Sequence, residues 1–303
     1  MISLEIRKTF FDKKPGAGIQ KSTAATKKVT CNKIKLVLKK LSMKPGILLQ
    51  RKLAFKVIAL FVWAASINIA YGQDTSAVKN IVLVHGAFVD GSGWQGVYDI
   101  LIKKGYNVTV TQQTLRSFEG DVAAVKRIID QQDGPCILVG HSYGGAVVTI
   151  AGNAPKVVGL VYIAAHAPDD GESEANNGSI YPPAYKSLIK GKDGLDFIDP
   201  KKFAIDFADG VPKQRSNFMA ISQTPTTDSV FHAIIQNPAW KVKPSWYMVA
   251  KSDRIINPDL ERMYAKRAKS QLVEIDGASH SVYISHAKEV AELIILASQT
   301  PLK

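Results

Sequence analysis

The chain has 303 residues, 39 Lys+Arg against 26 Asp+Glu for a formal net charge of +13, and a 46% hydrophobic share. That share, with only 21% charged residues, excludes a disordered chain, and 22 Gly with 14 Pro and no triplet period exclude a collagen-like repeat. Two cysteines, Cys31 and Cys136, are too few for a disulfide framework or a structural zinc site.

The charge sits at one end. Residues 1–72 carry 15 Lys+Arg, from Arg7 to Lys56, against Glu5 and Asp12 alone, whereas residues 73–303 carry 24 basic and 24 acidic side chains. A basic excess of this kind suggests nucleic acid or a membrane surface as partner. The neutral remainder lacks the basic stripe such binding needs, so no nucleic-acid partner is expected. Residues 1–42 read as a Lys-rich extension, either a disordered arm or a stretch upstream of a natural start at Met43. After Arg51, Lys52 and Lys56 comes the apolar run Val57–Ala65, which weakens toward Ala70-Tyr71-Gly72. A basic flank, an apolar stretch of about 14 residues and small residues at its end make 43–72 a predicted signal peptide, cut between Gly72 and Gln73. The run is short for a spanning helix, which needs about 20 residues. The expectation is an exported protein, periplasmic or secreted, with no membrane partner after cleavage.

From Lys79 the chain alternates strand and helix. Predicted strands are Ile81–Val84, Val108–Val110, Cys136–Val139, Val157–Ala164, Ser245–Ala250 and Gln271–Ile275. Predicted helices are Trp94–Lys104, Gly120–Gln132, one from Tyr143, Pro258–Ala268 and His286–Ser298. Short β-branched runs between amphipathic helices imply an α/β fold: a mostly parallel six-stranded sheet with helices on both faces. Residues 168–243 break the rhythm with Pro182-Pro183, an Asn-Asn-Gly turn and several aromatics, and read as an inserted helical lid within a 73–303 domain. Cys136, inside an apolar strand, reads as a small buried hydrophobe.

The sequence Gly140-His141-Ser142-Tyr143-Gly144 falls at a strand-to-helix junction, the context a nucleophile elbow requires. A serine nucleophile needs a base, and the base an orienting acid. Asp253 follows the strand Ser245–Ala250, and His280 follows Gln271–Ile275. All three therefore emerge at the carboxyl edge of the sheet. His286 is the near rival for the base, and Glu274 and Asp276 are rivals for the acid. Two backbone N–H groups should stabilise the oxyanion, one from Tyr143 after the nucleophile and one from Ala87 in the loop after the first strand. Phe88, His85, Trp94 and the lid residue Tyr181 are candidates for the substrate pocket.

The stretches Val84-His85-Gly86-Ala87 with Trp94 downstream, Val139–Gly145, Tyr162–Ala165 into Pro168-Asp169, and Asp253 and His280 in that order resemble the α/β-hydrolase superfamily. The likeness covers about residues 79–300, with a loosely matching lid, and is greatest to lid-bearing esterases similar to plant methylesterases and hydroxynitrile lyases. The resemblance implies cofactor-free serine esterase chemistry on a small-molecule ester, with neither cofactor nor metal. Hydroxynitrile lyases of this branch carry threonine and lysine where this chain has Gly86 and Ser281, which is the esterase pattern. Epoxide hydrolases and haloalkane dehalogenases use an aspartate nucleophile, against Ser142. A perhydrolase or lyase on the same triad, and a non-catalytic ligand-binding hydrolase fold, are the alternatives.

Overall fold

Six runs of aliphatic residues line up as one sheet in the computed structural model, which describes residues 77–300. They are β1 (Asn80–Val84), β2 (Asn107–Val110), β3 (Cys136–Ser142), β4 (Val157–Ala165), β8 (Ser245–Ala250) and β9 (Gln271–Ile275), with β5 (Leu188–Ile189), β6 (Leu195–Ile198) and β7 (Thr226–Thr227) forming a small sheet of their own. The large sheet has the order β2-β1-β3-β4-β8-β9, and every pairing in it is parallel. The predicted Lys-rich extension (1–42) and signal peptide (43–72) lie outside the described residues.

Alternation along each strand sends side chains to two separate cores. Ile81, Leu83, Ile137, Val139, Val161, Ile163, Trp246 and Met248 face one layer, with α1 (Gln95–Lys103) and α9 (Ala287–Gln299). Val82, Val84, Leu138, Leu160, Tyr162, Tyr247 and Val249 face the other, with α2 (Phe118–Asp130), α3 (Gly144–Ala151) and α7 (Pro258–Arg267). Strands covered on both faces read as continuous apolar runs, as β1, β3 and β8 do. Cys136 is buried on β3, and burial pushes its thiol up to about 11.

Helix starts follow the capping chemistry. Ser117 Oγ accepts from Gly120 N at 3.0 Å, so α2 begins at Phe118, two residues before the predicted Gly120. Asn257 caps α7 by accepting from Asp259 N at 3.0 Å, with Pro258 in the first turn. The predicted Trp94–Lys104 helix is α1, Gln95–Lys103, and a 3-10 turn, Gly91–Trp94, precedes it.

The insertion between β4 and β8 contains α4 (Glu174–Ile180), α5 (Phe203–Asp206) and α6 (Lys213–Ile221). It also holds the antiparallel β5-β6-β7 sheet, which the sequence reading did not mark. Strands of two to four residues are too short to show a period. The same holds for α8 (Val282–Ser285), a single turn just after His280.

Candidate active site

Ser142 closes β3 with φ of 54°, in the left-handed region that a residue with a Cβ rarely adopts. The chain turns there because β3 must feed α3 at once. The glycines around it make that turn sterically possible: a Cβ on Gly144 would sit 2.6 Å from His85 O, and one on Gly86 would sit 2.7 Å from Ser142 Cβ. The β3–β4 register shifts between His141 and Ser142, so Ser142 pairs with Ala165.

The loops after β8 and β9 bring two further groups to this edge. His280 Nδ1 lies 2.6 Å from Asp253 Oδ2, with both side chains fully buried. Asp253 Oδ1 accepts from the backbone N–H groups of Ile255 (2.7 Å) and Ile256 (3.0 Å), which fixes the carboxylate. An acceptor at Nδ1 requires that nitrogen to carry the proton, leaving Nε2 as the basic site. Among the described residues Nε2 makes no hydrogen bond. The ring is wedged between Phe207, edge-on at 4.8 Å, and His141 at 4.6 Å. Backbone contacts hold the loop from the lid side: Ser281 N and Oγ donate to Phe207 O at 3.1 and 2.8 Å, and Ser279 Oγ donates to Asp209 O at 2.6 Å.

His141 Nε2 donates to His280 O at 2.9 Å, and burial pushes its basicity well below that of a free imidazole. It is a neutral spacer under His280. The rivals lie elsewhere: His286 Nδ1 pairs with Ser285 Oγ at 2.9 Å, Glu274 is bound by Arg262, and Asp276 contacts Lys251.

Ala87 and Tyr143 flank Ser142, and neither backbone N–H is engaged by an acceptor among the described residues. The neighbouring N–H, that of Phe88, is taken by Thr226 Oγ1 at 3.1 Å. Tyr143 N lies one residue before α3, where the positive end of the helix dipole favours an anion. The Tyr143 hydroxyl points away and donates to Asp121 Oδ2 at 2.9 Å.

A cavity of about 280 Å³ opens over Ser142, lined by Ala87, Phe88, Tyr181, Tyr185, Phe231, Ile255 and Leu260 among others. Phe88 and Tyr181 therefore lie where the sequence put them. His85 and Trp94 do not line it. His85 is locked between Gly86 O, to which Nδ1 donates at 2.8 Å, and Gln113 N, which donates to Nε2 at 3.0 Å. Trp94 is fully buried in the opposite core, 4.7 Å from the Tyr283 ring. The backbone at each position was legible, but the direction of its side chain was not.

Two lining residues escaped the sequence reading, His166 and Glu174. His166 follows β4 at the carboxyl edge, a position that could have drawn notice. Glu174 gave no signal, being one acid among several in the lid. Burial lowers His166 to about 3 and raises Glu174 well above the usual carboxyl range, because desolvation disfavours the charged form of each. The two meet at 3.4 Å, Nε2 to Oε2.

The sequence matches the model of the alpha/beta hydrolase family over residues 81–293. A pyrethroid hydrolase from Sphingobium wenxiniae is 27% identical over 255 residues, which cover 74% of this chain and 89% of that protein. A carbendazim hydrolyzing esterase from a Nocardioides species is 34% identical over 112 residues, 32% of this chain and 46% of the relative. The crystal structure of a methylesterase from Arabidopsis superposes with a TM-score of 0.61 at 19% identity, covering 73% of this chain and 98% of that one.

Proposed function

The chain belongs to the alpha/beta-hydrolase family, and on that premise we propose that it is an exported serine carboxylesterase acting on small to medium esters. The observation that carries this reading is a strained Ser142 at the same strand edge as an Asp253–His280 pair whose Nε2 is free. In this reading Ser142 Oγ attacks the ester carbonyl while His280 Nε2 takes its proton. The developing oxyanion is met by the Ala87 and Tyr143 N–H groups. Collapse expels the alcohol, which receives the proton from His280, and leaves an acyl group on Ser142. Water then attacks that acyl group, with His280 again as base, and releases the acid. Asp253 holds the imidazole tautomer and stabilises the imidazolium.

The names of the two sequence relatives, a pyrethroid hydrolase and a carbendazim hydrolyzing esterase, support ester or ester-like substrates. The mostly apolar cavity fits an apolar acyl or alcohol group. Export rests on residues 43–72 alone, and mass spectrometry of the mature N-terminus tests it: a start at Gln73 is expected. The test of the chemistry is fluorophosphonate labelling of the purified protein. Labelling at Ser142, absent in Ser142→Ala, is expected; an unlabelled folded protein would refute the assignment.

A further inference from the structure

We propose that Asp121 is the positioning residue of the oxyanion hole: a buried carboxylate that touches no reacting atom and ties the two loops carrying the Ala87 and Tyr143 N–H groups to one point. The inference rests on the serine-esterase reading of Ser142.

Asp121 lies near the start of α2 and is fully buried. Ser117 already caps that helix, so the helix start does not require it. A carboxylate taken out of water costs more than an apolar side chain of similar size, so its place must be explained by what it holds. One oxygen serves the nucleophile elbow: Oδ2 accepts from the Tyr143 hydroxyl at 2.9 Å. The Tyr143 ring also packs edge-on against Phe118 and Phe231, at 6.2 and 6.0 Å. A side chain held at its tip and on its faces cannot swing, and the N–H directly after Ser142 keeps its direction. The other oxygen serves the opposite loop. Oδ1 accepts from Thr114 N at 2.9 Å, Thr114 Oγ1 at 3.3 Å and Leu115 N at 3.2 Å. These bonds pin the loop after β2 with Leu115 at φ of 58°, a conformation that persists only where its surroundings enforce it. Leu115 O then accepts from Thr227 N at 3.0 Å, and the adjacent Thr226 Oγ1 accepts from Phe88 N at 3.1 Å. Phe88, at φ of 65°, directly follows Ala87. The contacts that start at Asp121 therefore reach both oxyanion donors, whose value depends on being fixed before the charge develops.

The test separates positioning from plain stability by comparing a tetrahedral adduct with the planar ester. The probes are an alkyl trifluoromethyl ketone and the methyl ester of the same chain length. On the ketone, Ser142 Oγ adds to the carbonyl carbon, its proton passes to His280 Nε2, and the carbonyl oxygen becomes the anion that the two N–H groups receive. Asp121→Ala should weaken ketone inhibition and lower kcat alike, by about ten- to hundredfold, with KM changed less than about twofold. Tyr143→Phe, which keeps the N–H but cuts one branch, and Thr226→Val, which cuts the other, should each show a smaller loss of the same kind. Asp121→Asn, whose amide can still accept from the loop and bond Tyr143 Oη, should recover most of the loss. Thermal melts report folding, and the two single-branch variants decide the matter if Asp121→Ala does not fold. The proposal is overturned if melting temperatures fall while ketone inhibition and kcat hold, or if ketone inhibition and KM weaken together. Ester turnover and Ser142-dependent ketone binding in the parent protein, both unmoved by these variants, sink this inference alone. A parent protein that shows neither sinks the esterase reading, and this inference with it.

Discussion

The floor and the roof of the cavity are held by different means. The floor consists of the ends of β3, β8 and β9, where strain at Ser142 and close backbone approaches at Gly86 and Gly144 leave no freedom. The roof is fastened by hydrogen bonds and ion pairs: Arg267 grips Glu172 in two bonds of 2.7 and 2.9 Å, Arg254 Nε donates to Asp206 at 2.8 Å, and the N–H groups of Ala184 and Tyr185 donate to Arg254 O at 3.0 and 2.9 Å. A steric constraint on backbone fixes atoms to fractions of an ångström, as nucleophilic attack demands. Hydrogen-bonded ties tolerate more adjustment than a steric constraint does, which suits a wall that meets varied substrates. Chemistry and selection are thus carried by separate parts of one cavity.

Substitutions can break that division, starting at the floor. Ser142→Ala should lower kcat/KM for any turned-over ester by at least about a thousandfold, with an unchanged thermal melt. Asp253→Asn should reduce kcat by about 10²–10⁴ with a smaller effect on KM, because the amide favours the wrong imidazole tautomer. Gly144→Ala places a Cβ 2.6 Å from His85 O and should destabilise the fold by about 1–3 kcal/mol, read from urea midpoints. If it proved neutral, the floor would be softer than its geometry indicates. Ser281→Ala removes a 2.8 Å bond to Phe207 O at the junction of floor and roof. It should cost about 1 kcal/mol of stability and lower kcat a few-fold with KM held, as seen by steady-state kinetics.

The smallest effects concern pH and the roof pair. Burial holds His166 near 3, against an ordinary imidazole value of 6.5. Below 6.5 the unfolded chain gains a proton that the folded one refuses, so stability should fall as pH drops toward 3. His141 and His85, lowered by the same cause, act in the same direction. Glu174, raised by burial, has the opposite sign, and stability should fall as pH rises through and above the usual carboxyl range. His166→Gln should flatten the acid limb of a urea-midpoint profile, and Glu174→Gln the decline above the usual carboxyl range.

The floor was legible in the sequence because its signals are local. Apolar runs such as Cys136–Val139 set the strands, and glycines around Ser142 mark a turn that other residues cannot make. The loops after β8 and β9 deliver Asp253 and His280 because parallel strands all end at one edge. The roof was not legible. Leu188–Ile189 and Thr226–Thr227 become strands only through pairing with β6. The burial of Glu174 depends on tertiary contacts such as that with His166, just after β4, which no neighbouring residue announces. His85 and Trp94 fail for a related reason: the position of a loop does not tell which core receives its side chain.

The three hydrogen bonds from Ser279 and Ser281 to the backbone of Asp209 and Phe207 bear on how this scaffold can be recombined. A chimera that grafts a foreign lid across the whole insertion would remove the anchor under the loop of His280 along with the substrate wall. A graft confined to residues 168–198 would replace Glu174, Tyr181 and Tyr185 and leave Phe207 and Asp209 in place. The natural module for altering specificity is therefore shorter than the insertion itself.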